Sequence, residues 1–89
     1  MYKMSDHWVE IDAVGLLCPM PLIKLQNQMR KLPQGSLVKI NCTDPGVLQD
    51  IPTWCRLKKY EVIKTSSNKI KEIKEINFLI RKTHAEYNS

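Results

Sequence analysis

The chain is short of the residues that most often declare a function. Its 89 residues hold two histidines, His7 and His84, and three cysteines, Cys18, Cys42 and Cys55, that never form a CxxC pair. Zinc sites usually combine such pairs with nearby histidines, so no metal centre is expected. An odd number of widely spaced thiols argues against a disulfide framework. With no second cysteine close to any of them, thioredoxin-type chemistry also lacks a resolving partner in sequence. Charged residues interrupt every apolar run before it reaches the roughly 18 residues of a membrane span. The start, MYKMSDHWVEID, has no uncharged apolar core of a secretory signal, so a cytoplasmic protein with no membrane attachment is expected. Aromatics are 7% of residues, little material for stacking RNA bases on a sheet.

What is there is ordinary globular composition, 43% hydrophobic and 26% charged, which excludes a disordered chain. The length suits a single domain over 1–89, with a core expected at about 8–82. Net charge is +5 and unevenly spread: residues 56–82 carry nine basic side chains against three acidic, and the remainder sums to −1. Such an excess suits RNA, acidic partner proteins or plain solvation.

Hydrophobic periodicity sets the order of elements. WVEID at 8–12 alternates apolar and polar, the signature of a half-buried strand. From Pro19, residues Leu22, Leu25, Met29 and Leu32 recur at spacings of three and four, one face of a helix closed by PQG at 33–35. Alternation returns at 36–42, with Val38, Ile40 and Cys42 on one face, and TDPG at 43–46 is a turn. A second helix is expected in two steps, because Asp50 can cap a turn in which Pro52 sits early. A strand at 61–65, a turn at Ser66-Ser67-Asn68 and a last strand at 77–82 complete βαβαββ, with 69–76 read as a hairpin arm containing an irregular piece. Right-handed crossovers place both helices on one face of a mixed four-stranded sheet, an α+β two-layer sandwich. Strand order is not readable from these patterns.

LLCPMPLIKL carries the chemistry. Proline is tolerated in the first turn of a helix, so Pro19 and Pro21 mark a helix start with Cys18 at its edge. There the unsatisfied amides and the macrodipole favour an anion, which predicts an acidified thiol or a stabilised persulfide on Cys18. The alternative is a small capping residue without chemistry. Cys42 and Cys55 read as core fillers, Asp44 and Asp50 as turn and cap residues, His7 and His84 as solvated, and Trp8 and Trp54 as packing residues. Arg56, Lys58 and Lys59 end a helix, where cations are favourable; they are also candidates for docking acidic partners.

DAVGLLCPMPLIKL, TDPGVLQDIPTWC and NFLIRKT, in this order between residues 12 and 82, resemble the TusA (SirA-like) sulfur-carrier family, marked by Cys-Pro-x-Pro after a Gly-Leu turn. The resemblance implies a sulfurtransferase with Cys18 as persulfide carrier, supported by Gly15, Pro19 and Pro21. It implies a PLP-dependent cysteine desulfurase as donor and an acceptor protein in a relay toward 2-thiouridine at the tRNA wobble position, with tRNA met only indirectly. No cofactor of its own is implied, and a monomer is expected. Met20 stands where some members are acidic, Tyr60 where histidine is frequent, and 66–75 is longer and more basic than usual. Two other readings stay open: a small RNA-binding or regulatory module, and a redox-sensing thiol.

Overall fold

In the computed structural model, residues 8–83 are described; His7 and His84 lie outside them. The elements are β1 (Trp8–Ala13), α1 (Met20–Lys31), β2 (Leu37–Cys42), α2 (Val47–Lys58), β3 (Glu61–Ile70) and β4 (Ile73–Arg81). The strands form one mixed sheet in the order β1-β2-β4-β3. β1 and β2 run parallel, and β4 is antiparallel to both β2 and β3. This is the expected α+β sandwich.

One sheet face makes the core because period-two alternation sends every second side chain inward. Ile11 pairs with Ile40 and Ile40 with Phe78, while Ala13 pairs with Cys42 and Cys42 with Ile76, so apolar rows cross three strands. Leu25 and Met29 of α1, and Val47, Ile51 and Cys55 of α2, close over these rows in a single cluster. Each fully buried aliphatic side chain there contributes about 1.5–3 kcal/mol through removal from water. The opposite face is polar: Asn77 Nδ2 donates to Asn41 Oδ1 at 2.6 Å, and Asn41 Nδ2 donates to Glu10 Oε2 at 2.8 Å. Trp8, expected to pack, is 45% exposed, whereas Trp54 lies edge-on to Tyr60 with ring centres 5.5 Å apart.

The last turn of α1 is closed from a distance. Lys82 follows β4, is buried, and donates from Nζ to the carbonyls of Met29 at 2.6 Å and Leu32 at 2.7 Å, satisfying acceptors that a helix end leaves open.

Three expectations need correction. α2 is one continuous helix from Val47: Gly46 is its N-cap, Asp50 lies within the first turn, and Pro52 sits inside, removing a single backbone donor. Ser66, Ser67 and Asn68 belong to the β3 ladder rather than to a turn, paired with Asn77, Ile76 and Glu75. The chain reverses at Lys71-Glu72, where both residues have positive φ, 48° and 72°. The last strand accordingly begins at Ile73, four residues before the expected start.

Candidate functional site

The crossover through α1 makes β1 and β2 parallel neighbours, so the β1–α1 and β2–α2 loops leave the same end of the sheet. Cys18 lies where they meet. Gly15 adopts φ +87°, a left-handed value natural to glycine, and its N–H donates to Thr43 Oγ1 at 2.9 Å. The Cys18 N–H donates to Asp44 Oδ2 at 2.7 Å, and Asp44 Oδ1 accepts from the Gly46 N–H at 3.3 Å. Thus one carboxylate fastens the cysteine loop to the start of α2. Pro19 is the N-cap of α1, the Cys18–Pro19 peptide is cis, and Pro21 is buried in the first turn. A Cβ built on Gly46 would stand 3.4 Å from Cys18 Sγ, so the sulfur lies directly against the α2 N-terminus.

The surroundings of this thiol work against the expected acidification. Cys18 is pushed up from 9.0 to about 12, first by removal from solvent, then by hydrogen bonds to the Asp50 and Asp44 side chains and by their charge. Asp44 is held below its ordinary value chiefly by the amides of Cys18 and Gly46, so it stays ionised beside the sulfur. Pro19 and not Cys18 caps α1, and the Cys18 N–H is already taken by a carboxylate. At neutral pH the resting group is a protonated thiol.

Cys42 and Cys55 are wholly buried, while Cys18 is partly exposed; all three are free. Burial raises Cys42 to about 11 and Cys55 to about 12. Around Cys18, the same loop–helix junctions expose Val14, Leu17, Met20 and Leu48, Leu17 by 73%, a rim of apolar side chains of the kind protein contacts use. Among the described residues no cluster of His, Cys, Asp or Glu is placed to hold a metal ion, and no helix is long and apolar enough to cross a membrane.

A family model described as sulfurtransferase TusA matches residues 9–82, nearly the whole described chain. The chain belongs to the TusA family. Relatives named sulfur carrier protein TusA include one from Pseudomonas syringae, 44% identical over 54 residues, which is 61% of this chain and 64% of that protein. Another, from Pseudomonas fluorescens, is 42% identical over 53 residues, 60% of this chain and 64% of its own length. The matched segment therefore spans just under two thirds of these relatives. The solved structure of a SirA-like protein from Desulfitobacterium hafniense superposes with a TM-score of 0.60 at 19% identity, covering 80% of this chain and 95% of that one, a likeness of fold.

Within this TusA-family chain the structure unites Gly15, Cys18, Pro19 and Pro21 at one end. It does not bring Arg56, Lys58 and Lys59 there: they close the far end of α2, about 17 Å of helix from Gly46. Lys59 is itself the left-handed C-cap, with φ 64°. Sequence reasoning missed that Asp44 and Asp50 face the sulfur. Their spacing from Cys18 carries no signal, and only the adjacency of β1 and β2 makes them neighbours.

Proposed function

We propose that this chain is a persulfide carrier working through Cys18. A donor protein's outer sulfur bonds to Cys18 Sγ as the donor's own S–S bond breaks, and the Cys18 proton ends on the donor's released thiolate. The persulfide then passes to an acceptor thiol by the same exchange. The observation that carries this reading is that Cys18, alone of three cysteines, reaches solvent, at a loop junction ringed by exposed apolar side chains. A persulfide places its outer sulfur about 2 Å beyond Sγ. The TusA family membership supports the carrier role.

On the resemblance, the donor is a PLP-dependent cysteine desulfurase and the relay leads through an acceptor protein to 2-thiouridine at the tRNA wobble position. The chain is proposed to act in the cytoplasm as a single-domain monomer. The test is incubation with a cysteine desulfurase and cysteine, followed by intact-mass measurement. One added sulfur is expected on the native chain and none on Cys18→Ser; equal loading of both would end the proposal.

A further inference from the structure

The β3–β4 hairpin outruns the sheet that carries it. β4 pairs with β2 only through Ile76 to Arg81, so residues 68–75 pair with each other alone and extend past the end of β2. They do so at the Cys18 end, because Ile76 is opposite Cys42, the last residue of β2. Lys71, Ile73 and Glu75 line a hollow of about 200 Å³ with Val14 and Thr43. Thr43 accepts the Gly15 N–H, and Asp44, the next residue, holds Cys18; arm and cysteine loops thus share one end of the sheet.

The arm breaks local rules without a gain inside the fold. Lys69 stands directly opposite Lys74, a like-charge pair that destabilises a ladder. Its two-residue turn takes positive φ at lysine and glutamate, where Asn-Gly is favoured. Ile73 is 56% exposed. Such conflicts concentrate where a surface serves something other than stability.

We propose that this arm seats against an acidic surface of the protein that delivers sulfur to Cys18, a role that rests on the carrier reading above. The donor brings an anionic persulfide toward a sulfur flanked by the Asp44 and Asp50 carboxylates. Lysines 69, 71 and 74, all exposed, set positive charge beside that path. The donor, more than the acceptor, meets Cys18 while those carboxylates still face an unloaded thiol. Exposed Ile73 and Val14, and glutamates 72 and 75 among the lysines, fit a protein surface; an RNA site would carry uninterrupted positive charge and aromatic platforms, and 66–75 has no aromatic residue.

The test compares the native chain, K69E/K71E/K74E, the neutral K69Q/K71Q/K74Q, and the control K31E/K39E/K64E, which makes the same charge change away from the arm. Each is loaded by sodium polysulfide, which has no surface to dock, and by a persulfidated cysteine desulfurase. The arm reversal is expected to load normally from polysulfide but at least ~10-fold more slowly from the enzyme at low salt, with the neutral variant between and the difference closing at about 0.5 M salt. Unchanged transfer from the enzyme, or equal slowing in the control, overturns the proposal. So does slowing confined to unloading onto an acceptor, or loss of single-stranded RNA binding with enzyme transfer intact. If native Cys18 gains sulfur from neither source, the carrier reading itself has failed and the arm's role falls with it.

Discussion

Replacing Asp50 by asparagine isolates one of the two carboxylates that help raise the Cys18 thiol, since Asp50, unlike Asp44, carries no hydrogen bond to the Cys18 backbone. The native thiol lies at about 12 against an ordinary 9.0, so at neutral pH its thiolate is about a thousandfold scarcer than that of a free cysteine. Removal from solvent is the leading cause and survives the substitution; the Asp50 hydrogen bond and charge do not. If Asp50→Asn returns one unit, thiolate rises about tenfold, each thiolate becomes about threefold less nucleophilic, and net alkylation at neutral pH quickens about threefold. The assay is iodoacetamide labelling from about pH 7 upward, read by mass spectrometry peptide by peptide. Cys42 is wholly buried and should stay unlabelled while the fold holds, so its protection reports that the substitution leaves the structure intact. The Cys18 midpoint should fall in Asp50→Asn with Cys42 still protected. A native midpoint at or below 9.0, or one indifferent to Asp50, would refute the electrostatic account of the site.

Lys82→Met should destabilise the fold by about 1–3 kcal/mol in urea titration, because it removes both hydrogen bonds of a buried ammonium and leaves the Met29 carbonyl only its bond from the Leu32 N–H; a loss below half a kcal/mol would mean water replaces it freely. Substituting K71N/E72G should stabilise by about 1 kcal/mol by relieving two left-handed non-glycine residues, raising the melting temperature by about 4–8 °C. No rise would show that the turn is not strained.

The first half of the fold was legible because its patterns are clean. WVEID, the Leu22-Leu25-Met29-Leu32 stripe and the Val38-Ile40-Cys42 face each appear where their period demands. The hairpin was harder to place, since Ser66-Ser67-Asn68 looks like a turn by residue type but pairs as strand, while the true reversal falls on lysine and glutamate. Pro52 suggested a break in α2; packing of Val47, Ile51 and Cys55 on the core outweighs one missing donor. At the site, the Cys-Pro-Met-Pro start marked the cysteine and the helix it begins. The sign of its electrostatics was unreadable, because it depends on two aspartates, 26 and 32 positions further along, brought near only by the pairing of β1 with β2.

That pairing also separates scaffold from recognition. The sulfur rests on segments 14–19 and 43–46, which follow the parallel strands instead of forming them, and the protruding hairpin tip lies beyond the last rung shared with β2. Side chains at this end can be exchanged without removing a residue from the β1–β2–β4 rows of the interior. One architecture could therefore be retuned to new clients by surface substitution, its cargo-bearing atom left in place.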